Sequence, residues 1–183
     1  MKLHTPILDE DIVKLRAGDS VFITGTIYTG RDAAHKRLVA LLNNNEPLPF
    51  DPIGTAIYYV GPTPNKPDQP IGSAGPTSSY RMDAYSPALM EKGLKIMIGK
   101  GPRSEQFKQE LLKQKAVYLS ATGGAAALIA KSVKSCTLVA YPDLGAEAIY
   151  RLEVENFPAV VTYDIYGNDL FLEGISKYSR KKI

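Results

Sequence analysis

The stretch that most limits the possible folds is residues 21–42, VFITGTIYTGRDAAHKRLVALL. An apolar run rich in Val, Phe and Ile leads to Gly25-Thr26, the expected end of a strand over 20–26. The polar turn Thr29-Gly30-Arg31-Asp32 follows. Beyond it Ala34, Leu38, Leu41 and Leu42 recur at helical spacing until Asn43-Asn44-Asn45. A strand that passes through a glycine turn into a helix points to an α/β domain. Exposed backbone N–H groups and a helix start meet at such junctions, and ligands are commonly held there.

The same pattern returns downstream. A strand is expected over 56–60, then a proline-rich connection over 61–67, with 71–74 returning antiparallel. Thr77 and Ser78 are good helix-capping types, which predicts a helix from there to about Met90. A strand over 94–98 ends at Gly99-Lys100-Gly101, and Ser104 caps a helix with Phe107, Leu111 and Leu112 on one face. The strand over 116–119 opens into Ser120-Ala121-Thr122-Gly123-Gly124 and a small-residue helix over 125–130. Strands are expected over 135–141 and 151–154, and a hairpin joins 159–164 to 168–172. The expected architecture is α/β: one domain over 1–183, with a mixed sheet flanked by helices. Its core spans about 5–173, and a basic tail covers 174–183.

Composition removes several classes of function. The net charge of +3 is small for 183 residues, and the basic residues are spread apart from the tail, so nucleic acid is not indicated. Cys136 is the single cysteine, which excludes a disulfide framework within the chain and suits a reducing cytoplasm. It also excludes an iron–sulfur or zinc site built from several cysteines of this chain. Flanked by Thr137, Leu138 and Val139, it reads as a buried strand residue. No apolar run reaches the ~18 residues of a membrane helix, and no signal peptide is expected.

Four polar turns each follow a predicted strand: Thr29-Gly30-Arg31-Asp32, Gly75 to Ser79, Gly99-Lys100-Gly101 and Thr122-Gly123-Gly124. Arg31, Arg81 and Lys100 are suited to neutralising carboxylates or phosphates, arginine through a planar two-pronged donor set. Together they favour a small anionic ligand, and a dicarboxylate would need about two such anchors. Neither a P-loop nor a G-x-G-x-x-G fingerprint is present. His35, one helical turn past Arg31, faces the same way and suits either a base or a structural hydrogen bond. Asp32, Asp83 and Asp164 read as cap, helix-face and turn residues. Thr77 is a weak nucleophile or base unless a cationic environment favours its alkoxide.

Four segments in order, GDSVFITGTIYTGRDAAHKRL, GPTSSYRMD, GKGPRS and LSATGGAAALIAKSVK, resemble the β region of the iron–sulfur class I fumarases and L-tartrate dehydratases. The resemblance runs from about Thr5 to Glu173. The segment GAEAIYRLEVENFP is closer to the fumarase branch. It implies a swivelling β/β/α domain that closes over an α region holding a [4Fe–4S] cluster. Here that cluster would be held by a separate α subunit, in an α2β2 assembly, and no metal by this chain. The implied reaction is the reversible hydration of fumarate to (S)-malate in the cytoplasm. Thr77 would be the catalytic base, and Arg31, Arg81 and Lys100 would hold the substrate carboxylates. His35 and Asp32 would have supporting roles. The rivals are the β subunit of an L-tartrate dehydratase and a stand-alone dicarboxylate-binding module. Tyr80 and Pro102 depart from the family's pattern, which has a small residue at the first position and Gly or Asn at the second.

Overall fold

The computed structural model describes residues 1–65, 67–121 and 126–179. Among these, seven strands form one mixed sheet: β1 (Lys2–His4), β2 (Ser20–Thr29), β3 (Ala56–Tyr58), β4 (Ile96–Gly99), β5 (Val117–Ser120), β6 (Val133–Ala140) and β7 (Ile149–Tyr163). The helices are α1 (Asp9–Ile12), α2 (Asp32–Asn43), α3 (Ser86–Met90), α4 (Glu105–Gln114), α5 (Ala126–Lys131) and α6 (Leu170–Tyr178). The expected α/β domain with a mixed sheet flanked by helices is what forms.

Strands β2 to β5 run parallel, each paired with the next. β7 is antiparallel to β2 and to β5, and Val160 faces Ser20 on one side and Ser120 on the other. Five strands therefore close into a ring. β6 extends the arrangement along the first half of β7. Alternation along the short parallel strands sorts side chains to two apolar layers. Ala56, Tyr58, Ile96, Ile98, Val117 and Leu119 enter one, together with Val161 and Phe157 of β7. Ile57, Tyr59, Met97 and Tyr118 enter the other, under Leu38 of α2, Leu89 of α3 and Phe107 and Leu111 of α4.

Several sequence expectations shift. β2 does not end at Gly25-Thr26 but runs to Thr29. Gly25 takes a φ of 115° at a register irregularity, where the Thr5 hydroxyl sits in the place of a Cβ. The expected strands over 151–154 and 159–164 are one strand, β7, which runs through Pro158. Within it Asn156 takes the left-handed region, and its N–H bonds the Thr24 hydroxyl instead of the ladder. No hairpin follows. Asp169 accepts from Phe171 and Leu172 N–H and starts α6, so that helix takes the first half of the expected tail, through Tyr178. The helix expected from Thr77 to Met90 is broken into a 3₁₀ turn, Ser79–Met82, and α3, with Pro87 in the first turn of the second piece. The return of 71–74 is reduced to bonds between Thr63 and Gly72 or Ser73 and one bridge, Val60 to Pro76. Cys136 lies in β6 as expected but is half-buried, and burial pushes its thiol up. Ser104 caps α4 as expected, accepting from Phe107 N–H at 3.2 Å.

Candidate functional site

Because β2, β3, β4 and β5 are parallel, the turns that leave them gather at one end of the sheet, the usual ligand-binding end of such sheets. Arg31 follows β2 and Lys100 follows β4. The Gly75 to Ser79 segment inserts between the ends of β3 and β4. Thr77 N–H donates to Tyr59 C=O at 2.8 Å, and Ser78 pairs with Lys100 in a parallel bridge. The fourth turn, Thr122-Gly123-Gly124, lies outside the described residues.

This insertion depends on Gly99. The Ser79 hydroxyl, fully buried, accepts from Lys100 N–H and from the Tyr118 hydroxyl, each at 2.9 Å. A Cβ on Gly99 would fall 1.9 Å from that oxygen, so the last residue of β4 has to lack one. Ser79 N–H in turn donates to Lys100 C=O at 3.1 Å. The segments GPTSSYRMD and GKGPRS are thus stitched together by backbone as well as side chains.

Four of the candidates converge. Arg81 donates from Nη2 to Thr77 Oγ at 2.6 Å, and the same nitrogen lies 3.7 Å from an Asp32 carboxylate oxygen. Arg31 Nε lies 4.0 Å from that oxygen, and its Nη2 is 3.1 Å from Glu147. Asp32 Oδ1, Arg31 Nε and Arg81 Nε are shielded from solvent, yet they have no hydrogen-bond partner among the described residues. Buried polar atoms are rarely left unpaired, and a cluster of them marks a place where water or a ligand belongs. Two guanidiniums share one carboxylate at longer than hydrogen-bond distance, beside a hydroxyl. That arrangement can accept an anion carrying several oxygens.

Lys100 joins through its backbone, and its side chain is exposed at the same end of the sheet. His35 does not line the cluster. It is fully buried, its ring nitrogen Nδ1 meets the Arg31 carbonyl at 2.8 Å, and its edge lies against Tyr59. Burial pushes its pKa down to about 4, the Arg31 carbonyl opposes that, and the Arg103 charge adds to the fall. The buried ring supports the start of α2, making the structural hydrogen bond that its sequence position allowed. Gly30 makes room for it, since a Cβ there would lie 3.1 Å from the ring.

Sequence reading missed two residues. Glu147, in the GAEAIY segment, anchors Arg31 from the far side. Arg103, in GKGPRS, is buried and bonds Asp83, so Asp83 is half of an internal ion pair and not a helix-face residue. Asp164 is the expected turn residue, accepting from Ala17, Tyr166 and Asn168 N–H. Tyr80 is exposed at the lip of a groove of about 750 Å³ that also borders Arg81, Asp83, Pro87 and Ser104. Among the described residues no group of three His, Cys, Asp or Glu is placed to hold a metal, and no helix is long and apolar enough to cross a membrane.

Residues 1–174 match the family model described as fumarase C-terminus. The chain is 43% identical over 157 residues to the anaerobic class I fumarate hydratase of Escherichia coli K12, covering 85% of this chain and 29% of that protein. It is 40% identical over 156 residues to fumarate hydratase 2 of Leishmania major, covering 84% and 28% respectively. A third relative, named "Putative L(+)-tartrate dehydratase subunit beta" in Methanocaldococcus jannaschii, is 39% identical over 178 residues. That match covers 94% of this chain and 91% of the relative. The chain therefore spans under a third of the two fumarate hydratases and nearly all of the third relative. With most of its length matched by the family model, this chain belongs to the fumarase C-terminus family.

Proposed function

We propose that this chain is the β subunit of a two-subunit hydro-lyase that interconverts fumarate and (S)-malate in the cytoplasm. The observation that carries the reading is the convergence of Arg31 and Arg81, with unpaired N–H groups, on the Asp32 carboxylate, beside the threonine hydroxyl that Arg81 bonds. In the dehydrating direction Thr77 Oγ takes the proton from the carbon next to one substrate carboxylate. A threonine hydroxyl is a poor base by itself, and the 2.6 Å bond from Arg81 supports the role by favouring the alkoxide. Arg31, Arg81 and Lys100 hold the carboxylates, while Asp32 and His35 fix the two turns that present them. One cysteine cannot supply the several thiolates that the family's [4Fe–4S] cluster would need. The cluster is assigned to an α subunit in an α2β2 assembly, and no step of this chain's chemistry is routed through it. The relative printed as a separate beta subunit, matched almost end to end, supports the two-chain arrangement.

The test is hydratase activity after anaerobic mixing with the candidate α chain, with iron and sulfide supplied. Activity should require both chains. It should fall by roughly 10²–10⁴-fold in Thr77→Ala, the range for a lost general base, and sharply in Arg81→Ala. Unchanged turnover in Thr77→Ala would overturn the assignment. The same end-to-end match favours a second reading, dehydration of L-tartrate, and turnover of tartrate without fumarate would select it. Failure of the two chains to associate would return the stand-alone dicarboxylate-binding module.

A further inference from the structure

Arg103 is an internal cation that the chemistry above does not use. Its side chain is fully buried, Nε donates to Asp83 Oδ1, and Nη2 approaches the Ser86 hydroxyl at 3.5 Å. The central guanidinium carbon lies over aromatic rings, 3.4 Å from the Phe107 centroid and 4.9 Å from that of Tyr118. The other Asp83 oxygen accepts Ser104 N–H at 2.7 Å, at the start of α4. Tyr118 continues the chain of contacts, donating to the Ser79 hydroxyl and to Gly101 C=O.

The ends of these bonds matter more than their number. Asp83 directly follows the 3₁₀ turn that carries Arg81, and Arg103 stands three residues after Lys100. The pair therefore ties together the two segments that supply Thr77 and Arg81 on one side and Lys100 on the other. We propose that Asp83 and Arg103 are positioning residues that set the register of the Thr77–Arg81 turn against Lys100. This rests on the hydro-lyase reading for its catalytic consequence, though not for the geometry. Reaction at a bound dicarboxylate needs these groups held in a fixed mutual arrangement, and a displacement of about 1 Å costs on the order of 10²-fold in rate.

A single change such as Asp83→Asn leaves a buried guanidinium without its counter-charge and destabilises the chain whatever its role. The informative protein is the double variant Asp83→Asn/Arg103→Met. It removes both charges, keeps an unbranched apolar chain on Phe107 and Tyr118, and should unfold close to the wild-type midpoint. In the full chain, hydrogen exchange at Ser79 and Lys100 N–H reports the joint directly, because these amides bond across it. Both are expected to exchange ~10-fold or more faster in the double variant. In the reconstituted assembly kcat/KM should fall by ~10–100-fold, chiefly in kcat, despite the regained stability. Wild-type exchange at both amides overturns the proposal, as does wild-type kcat/KM in the stable double variant. An assembly whose wild type turns over neither fumarate nor tartrate sinks the hydro-lyase reading instead, and the exchange rates then decide the clamp by themselves.

Discussion

Arg81, two residues before Asp83, and Arg103, the ion-pair partner of Asp83, live in opposite surroundings. Arg81 is 34% exposed, donates to Thr77, stands 3.7 Å from Asp32 and keeps an unpaired Nε. Arg103 is 0% exposed, paired with Asp83 and covered by Phe107, Tyr118 and Tyr59, and its Nη1, also without a partner among the described residues, is shut away from solvent. A guanidinium with spare donors near solvent is arranged to gain partners, and one sealed among rings is arranged to keep those it has. Under the proposed function, the difference separates binding from holding within about twenty residues of chain. It also yields expectations that either break or sharpen the contrast.

The largest effect on stability is expected at Arg103. Replacing it by alanine leaves the Asp83 carboxylate, only 14% exposed, without its cation and opens a gap between Phe107 and Tyr118. Breaking a buried pair by removing one partner costs about 3–5 kcal/mol. Urea unfolding of Arg103→Ala should show a loss of that order. A loss under about 1 kcal/mol would mean the pair is not sealed and would remove the contrast.

This division was only half legible in the sequence. Strand, turn and helix order could be read because glycine turns and helical spacing are local signals, and the Ser104 cap is local too. Arg31, Arg81 and Lys100 could be named because cations in glycine turns after strands share one end of a parallel sheet. What could not be read depends on contacts distant in sequence. Arg103 and Asp83 are 20 residues apart, and Glu147 reaches Arg31 from a segment more than a hundred residues away. The union of 151–154 and 159–164 into β7 could not be read either, because it depends on pairing with β2, whose Phe22 lies opposite Pro158. Asp169 and the apolar 170–172 fit a strand as well as a helix start until the cap bonds are seen.

His35 spans the two regions and gives the next expectation. Its Nδ1 donates to the Arg31 carbonyl on the open side, its ring meets Tyr59 on the sealed side, and its Nε2 has no partner among the described residues. Protonation would place a charged N–H where no acceptor waits. Burial, with the Arg103 charge behind it, therefore lowers the pKa from 6.5 to about 4. The unfolded chain binds this proton at a higher pH than the folded one. Stability from this group is thus complete above about pH 6.5 and is lost as pH falls toward 4. The total is roughly 3 kcal/mol. Unfolding midpoints measured between pH 7 and 4.5 should fall accordingly. Asp164 does not blur this window, because its carboxyl lies below the usual range, its bonds from Asn168, Ala17 and Tyr166 outweighing the cost of burial. A profile flat across the window would show that His35 is not sealed.

Arg81 should show the smallest stability effect, although its loss is expected to be severe for turnover. Alanine at this position removes the bond to Thr77, but the hydroxyl is only partly buried and water can replace the guanidinium. The same change takes away a cation that competes with Arg31 for Asp32, so a like-charge term disappears along with a favourable one. The net change should lie within about 1 kcal/mol of zero, of either sign, by urea unfolding. A slight stabilisation would be the strongest support, since a cluster assembled to receive an anion is strained while it holds none. A loss as large as that of Arg103→Ala would mean that Arg81 also holds the joint. The two guanidiniums would then differ in exposure without differing in purpose.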